Sequence, residues 1–398
     1  MTRDAPGPGG EGDTPPPDPL QDDGGQHSPF DWYGRMRDDG PVQYDTRRGV
    51  YDVFGYREVK RGLGTEDGLV RPTLSSGEPA GSPLSYIDNA VVWTDGPEHT
   101  RTKGELFPFF TPDRIGALRG RIGDIAADQV QRATDAGREF DFVEEFGAPL
   151  PLRVIMDVVG VPARDHEQVL RWLVYFRNQK HSESGRFGDG EPARLRGAVE
   201  YFRELVDRRR RDPQGDLLSE LVAETDLDGE TIGANCFNLI LAGQGTLTNL
   251  LSNALYLFAE HGMVGELDRY DMELVLEEVL RYRAPLQSRA RMTTRPIRLG
   301  ATEIPAGETV ILWIGAANRD PTAFDRPDVF RPDRDPDHLS FGRGPHTCIG
   351  APLARLEAPI ALETFFDHVG RVDVRESYQP KSAPSELGFE RLPIETES

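Results

Sequence analysis

A single cysteine, Cys348, lies in the stretch HLSFGRGPHTCIGAPLARLE between His338 and Glu357, among glycines and directly ahead of a helical run, APLARLEAPIALETFF. Gly342, Gly344 and Gly350 let the backbone turn tightly and approach a flat, bulky group with no Cβ in the way. A thiolate beside the start of a helix is stabilised by the helix dipole and by free backbone N–H groups. That combination suits a cysteine kept deprotonated to bind a metal. A tetrahedral zinc site needs more thiolate or imidazole ligands, and no Cys/His cluster surrounds this one. As the axial ligand of a haem iron, one thiolate is enough.

Three other groupings carry potential chemistry. From Thr231 the run ETIGANCFNLILAGQGTLTNLLSNALYLFAEH predicts a helix of some thirty residues, roughly 45 Å long at 1.5 Å per residue. Its middle, Ala242-Gly243-Gln244-Gly245-Thr246, holds two glycines that each cost roughly 1 kcal/mol against alanine, so something there needs close approach or local widening. Asp95 and Pro97 read as the start of a helix on which His99 and Lys103 share a face, with Arg101 on a solvated one. Glu278 and Arg281, three apart, also share a helical face. A surface pair of that kind contributes well under ~1 kcal/mol and by itself says little.

Phe341-Gly-Arg-Gly-Pro-His-Thr-Cys348-Ile-Gly350 resembles the cysteine-ligand loop of the cytochrome P450 haem-thiolate monooxygenases, of the soluble bacterial or archaeal type. The resemblance extends over about residues 28 to 396 and includes four motifs in order. It implies a haem b held between the long helix (Ala242, Gly243) and the cysteine loop (Phe341, Gly342, Gly350), with Cys348 as the iron's axial ligand. It places the haem propionates on His99, Lys103, Arg291 and His346. At the Lys103 position the family more often has arginine, so a bidentate grip becomes a point charge. Glu278 and Arg281 match the family's buried pair that braces the cysteine loop. Val329 stands where many relatives have the third partner, which leaves Arg334 for that role.

Thr246 matches the hydroxyl that holds water and passes protons on the haem's distal side. Gly245 departs from the family, which usually has an acid there. Gln244, a second water or a polar group of the substrate must then substitute, or oxygen activation is weak. The resemblance implies a monooxygenase acting on a hydrophobic small molecule. Electrons would come from NAD(P)H through a separate ferredoxin or flavodoxin and its reductase. Two rivals are a peroxide-dependent or non-oxygen-activating haem-thiolate enzyme, motivated by Gly245, and a non-catalytic haem sensor. Residues 73–90 match the loop over the substrate, 181–192 the lid connection, Pro285 to Arg289 a pocket wall, and Leu387 to Phe389 the hairpin on its far side.

These groups need a scaffold, and 398 residues at 37% hydrophobic suffice for one. Helical periodicity dominates from about 113 to 224, with Gly160-Val-Pro162 and Asp212-Pro213 as stops. Strands flank a turn at Thr46–Gly49 and recur after Ser288. The expected class is mainly α with small β-sheets (α+β): a disordered, Pro/Gly/Asp-rich extension over 1–27 and a single domain over 28–398. The net charge of −21 disfavours nucleic acid and anionic membranes. With four lysines against 42 arginines, it fits either a halophilic source or arginine-rich coding in a high-GC genome. Two cysteines, no signal peptide and no long apolar run predict a cytoplasmic protein without a membrane span, as a monomer.

Overall fold

A computed structural model describes residues 17–21, 23–72, 83–135, 137–180 and 192–397. Helices dominate it, as the periodicity requires: α1 (Phe30–Asp39), α2 (Tyr56–Gly64), α3 (Gly96–Leu106), α4 (Arg119–Asp135), α5 (Pro149–Val159), α6 (His166–Lys180), α7 (Pro192–Arg211), α8 (Leu217–Glu224), α9 (Gly229–Glu260), α10 (Met272–Tyr282) and α11 (Ala351–Val369). The first eight strands are β1 (Val42–Asp45), β2 (Val50–Val53), β3 (Leu69–Val70), β4 (Glu139–Asp141), β5 (Ser288–Thr293), β6 (Ile297–Leu299), β7 (Thr302–Ile304) and β8 (Thr309–Trp313), and a five-stranded sheet sets β1, β2, β8, β5 and β3 side by side in that order. Only its β2–β8 pair is parallel, with Val50 opposite Thr309. Among the described residues no helix is long and apolar enough to cross a membrane.

The long helix α9 organises the interior. Asp228 caps it by accepting from the Thr231 N–H at 2.7 Å, and the helix then runs 32 residues without a break. The glycines at 243 and 245 therefore do not interrupt the helix: a Cβ on Gly243 would stand 3.3 Å from the Ile155 side chain of α5, and one on Gly245 would meet nothing within 4 Å. Ile232, Phe237 and Ile240 enter one core with Ile155, Phe176 and Phe202. Leu247, Leu250 and Leu251 enter a second with Phe142, Phe146 and Phe365. Between them Ala242 is exposed and Gly243 to Thr246 are half-buried, an uncovered waist on a helix otherwise enclosed from 231 to 258. The helix α11 bridges the same two cores, with Leu353 and Ile360 in the first and Ala358, Ala361 and Leu362 in the second.

The start of the chain corrects one expectation. Residues 1–16 and 22 lie outside the described residues, but Asp18–Leu20 and Asp23–His27 are short helical turns. Leu20 is buried with Trp32, Tyr33, Phe54 and Trp313. The ring of His27 packs against Tyr256, Tyr378 and Phe389, and Arg283 donates toward its Nδ1 at 3.4 Å. The Pro/Gly-rich composition concealed two residues that find buried partners only after the C-terminal half folds. The ordered unit thus begins before residue 28. The hairpin at the end is also tighter than expected: Leu387 and Phe389 are buried, so they do not face an open space. Residues 73–82 of the expected substrate loop and 181–191 of the expected lid lie outside the described residues, and Pro83–Ile87 is helical.

Leu20→Ala should lower the unfolding free energy by about 2–3 kcal/mol, and His27→Ala by about 1 kcal/mol. Urea unfolding would read both, and unchanged midpoints would show that the segment carries no stability.

Candidate functional site

The cysteine loop is held by short-range backbone geometry. The Cys348 N–H donates to the Phe341 carbonyl at 2.8 Å, closing the loop, and Gly342 and Gly344 adopt φ of 73° and 69°. A Cβ on Gly344 would fall 2.7 Å from the backbone of Gly64, so this glycine lets the loop seat on α2. Gly350 does not share that conformation. It caps α11 at φ −81°, and a Cβ there would stand 3.9 Å from the Cys348 sulfur. Its value is space beside the thiol.

Cys348 is exposed, although it lies deep enough that burial pushes its thiol pKa up. An exposed atom deep in a fold faces an interior space. The N–H groups of Gly350 and Ala351 and the charges of Arg289 and Lys103 pull in the opposite direction and favour the thiolate. Thr246, on the uncovered waist of α9, donates its hydroxyl to the Ala242 carbonyl at 2.8 Å. Gln244 offers its carbonyl to Thr248 at 2.9 Å. A Cβ on Gly245 would meet nothing within 4 Å.

A cluster of charge surrounds the loop. The His99 and His346 rings touch with centroids 4.1 Å apart and planes tilted by 40°. His346 Nε2 is 2.8 Å from Asp95 Oδ1, and the Arg71 N–H donates to Asp95 Oδ2 at 2.7 Å. Asp95 does occupy the N-cap of α3, but its carboxylate serves His346 and Arg71 and makes no side-chain cap. Burial raises its pKa, yet these donors outweigh that and hold it below the usual range. Burial, then the charges of His346 and Lys103, depress His99 to about 4. Burial also lowers His346 and Lys103. Lys103 donates to the carbonyls of Pro345 and Thr347, so it clamps the cysteine loop. Arg291 is buried on β5, and Arg101 is exposed, as expected of a solvated face.

Glu66 Oε1 and His99 Nδ1 are buried, 3.4 Å apart, and make no hydrogen bond. With His346 they bring three ligand-type atoms within 4.8 Å of one another. The surroundings are what a bound anion needs: the cations Arg71, Arg291 and Lys103 converge here with two imidazoles that burial keeps from charging. The residues fit a haem: a lone thiol facing the interior, an uncovered helix waist, and cations with unsatisfied polar atoms where carboxylates would be received. Glu66, Arg71 and the second role of Asp95 escaped sequence reasoning, because no local spacing links residues 66, 95 and 346.

The bracing residues meet as the motifs suggest. Glu278 and Arg281 are fully buried and paired through two bonds of 2.7 and 2.8 Å. Arg334 reaches Glu278 Oε1 at 3.2 Å, and the Arg331 N–H donates to the same oxygen at 3.0 Å. Arg281 also donates to the carbonyls of Asn318 and Pro327 at 2.9 and 2.8 Å. Next along α10, Glu277 accepts from Arg355 at 2.7 and 2.9 Å and lies 3.1 Å from His338 Nε2. Those two partners flank the cysteine on either side. Phe341 packs under the Arg355 guanidinium, 4.5 Å from its ring centroid.

A family model described as Cytochrome P450 matches residues 270–394. The chain is 34% identical to cytochrome P450 109 of Bacillus spizizenii over 92% of this chain and 91% of that one. It is 35% identical to the erythromycin C-12 hydroxylase of Saccharopolyspora erythraea, over 87% of this chain and 88% of the relative. Among solved structures it resembles CYP109E1 of Bacillus megaterium in complex with testosterone, with a TM-score of 0.84, 31% identity and coverage of 95% and 100%. It also resembles P450BioI in complex with an acyl carrier protein bearing hexadec-9Z-enoic acid, with a TM-score of 0.85, 29% identity and coverage of 94% and 99%.

Removing one partner of a buried pair strands the others' charge, so Glu278→Ala should cost about 3–5 kcal/mol in urea unfolding. An effect below about 1 kcal/mol would show that the pair does not brace the fold. Burial raises the Glu277 pKa, but Arg355 and His338 outweigh it and hold the group at about 2, against an ordinary 4.5. Its stabilisation is therefore complete above pH 4.5 and is lost as the pH falls toward 2. In that window the wild type should lose about 2 kcal/mol more than Glu277→Gln, once the half-exposed Arg355 is discounted. Parallel acid-unfolding curves would contradict this.

Proposed function

The chain belongs to the cytochrome P450 family, and from that membership we propose that Cys348 is the axial thiolate of its haem b. On this reading the protein, a P450 monooxygenase, inserts one oxygen atom from O2 into a hydrophobic small molecule. The observation that carries it is a single exposed thiol in the interior, on a loop closed at Phe341, within a fold whose longest helix is uncovered at its waist. When bound, haem supplies dioxygen activation and the oxidising power for attack on a C–H bond.

The chain's own residues do the rest. Burial pushes the Cys348 thiol up, and the N–H groups of Gly350 and Ala351, with Arg289 and Lys103, offset part of that push in favour of the thiolate. Arg291, His99 and His346 would receive the two haem carboxylates, and Lys103 fixes the loop that carries the sulfur. Ala242, exposed on α9, and Gly245, where a Cβ would meet nothing within 4 Å, would leave room beside a bound haem. The Thr246 hydroxyl donates to the Ala242 carbonyl, which leaves its oxygen free to accept from a water and hold it there.

Electrons would reach the site from NAD(P)H through a separate ferredoxin or flavodoxin and its reductase. Support lies in the surface near the thiolate loop. Arg57, Lys60 and Arg61 on α2, which packs on the loop, join Arg101 and Arg343 as cations in a chain of net charge −21. An acidic redox protein would be steered to them. The relatives' ligands, a steroid, a macrolide and a carrier-bound fatty acyl chain, define the first substrate classes to try. Gly245 favours a second reading, in which hydrogen peroxide replaces the electron chain.

The deciding experiment is a Soret titration of the ferric protein in high salt against steroids, macrolides and fatty acids, with turnover then tested by either oxidant route. A shift to high spin should name the substrate class. In Cys348→Ser the carbon monoxide complex of the reduced protein should lose the red-shifted band of thiolate ligation. If that band survives in the variant, Cys348 is not the ligand.

A further inference from the structure

One acid sits among groups that otherwise suit an anion. Glu66 Oε2 accepts from the Gly96 N–H, at the start of α3, at 3.2 Å. That bond fixes the carboxylate and leaves Oε1 turned toward two imidazoles. Oε1 is enclosed without a hydrogen-bond partner, and so is Nδ1 of His99, a residue 3% exposed. Lone pairs enclosed in this way cost stability unless something occupies the space between them.

The spacing says what could do so. Ligands about 2.0–2.2 Å from a tetrahedral zinc stand about 3.3–3.6 Å from one another. Glu66 Oε1 is 3.4 Å from His99 Nδ1 and 3.4 Å from His346 Nε2, and all three atoms lie within 4.8 Å of one another. They come from three parts of the chain: the segment after α2, helix α3 and the cysteine loop. Two imidazoles with one carboxylate select a zinc-like ion over calcium or magnesium, which prefer oxygen ligands alone. The Glu66 side chain is 21% exposed, so an ion has a way in from solvent.

Charge also calls for a cation. Arg71, Lys103 and Arg291 stand near the two rings, which burial keeps uncharged. Against these cations the site sets Glu66, Asp95 and, once haem is bound, its two carboxylates. Four negative groups then face three positive ones.

We propose that Glu66 Oε1, His99 Nδ1 and His346 Nε2 bind a divalent transition-metal ion of the zinc type beside the haem. This rests on the haem-thiolate reading, because the haem carboxylates complete the charge balance. The second nitrogen of each ring stays available to those carboxylates. His346 Nε2 faces Asp95 Oδ1 at 2.8 Å, and the proton between them leaves when the metal takes that nitrogen. The ion then ties the cysteine loop to α3 and to the segment before β3.

Equilibrium dialysis of the haem-loaded protein against Zn2+, followed by elemental analysis, tests the site. The wild type should hold one zinc per chain tightly. Glu66→Gln should weaken that binding by at least about tenfold, with the Soret band unchanged. Zinc-edge X-ray absorption of the wild type should show two imidazole nitrogens on the metal. That spectrum needs no variant, so it decides the matter even where Glu66→Gln fails to fold. No zinc held, equal affinity in Glu66→Gln, or an oxygen-only shell drawn from the acidic surface overturns the proposal. So does loss of haem as zinc is added. Failure of the haem reading itself would appear separately, as a missing thiolate band in the carbon monoxide complex of the reduced wild type.

Discussion

Taking Glu278 and Arg281 out of water is costly, and much of the loop architecture follows from meeting that cost. Their lone pairs and protons must all be used, so α10 recruits the carbonyls of Asn318 and Pro327, the Arg331 N–H and the Arg334 guanidinium. That convergence pins the irregular stretch between β8 and the cysteine loop, which has little regular structure of its own. The adjacent Glu277 extends the anchoring to His338 before the cysteine and Arg355 after it. Two neighbouring carboxylates on one helix thus fix both ends of the segment that carries the sulfur. The glycines of the loop are free to shape it because they need not hold it.

The electrostatics around the sulfur follow a similar economy. Lys103 is one of four lysines in the chain, and it donates to two carbonyls of the loop. Asp95 holds the His346 ring through one carboxylate oxygen and the Arg71 backbone N–H through the other, which orients the imidazole before any anion arrives. Positive charge is concentrated at the site in a molecule that is otherwise strongly acidic. Attraction for a dianionic cofactor is thereby local, and the acidic exterior does not compete for it.

Where a role depends on residues close in sequence, the sequence shows it. The cysteine loop, the glycine-bearing helix and the Glu278–Arg281 pair are all local patterns, and the class, mainly α with small β-sheets, follows from periodicity. Arg334 was reachable because it stands a few residues from the usual position. What stayed hidden depends on contacts across the chain. Glu66 and Arg71 meet His346 only in the folded state, and Leu20 and His27 look like part of a disordered tail until Trp313 and Phe389 are placed beside them. Glu357, only 2% exposed, did leave a trace, as a lone acid on the apolar stripe Leu353, Glu357, Ile360, Ala361. An acid on such a stripe reads as a surface residue unless both flanking cores are known.

The parallel pairing of β2 with β8 has a consequence for how the chain is made. Val50 cannot find Thr309 until more than three quarters of the sequence has been synthesised, and His27 waits still longer for Phe389. The N-terminal segment must therefore emerge from the ribosome with its apolar residues unpaired, through a closure of very large sequence separation. Such contacts form slowly and leave Trp32, Tyr33 and Phe54 open to wrong partners in the interval. Yield of this protein in a foreign host should then depend on the rate of translation and on chaperone supply.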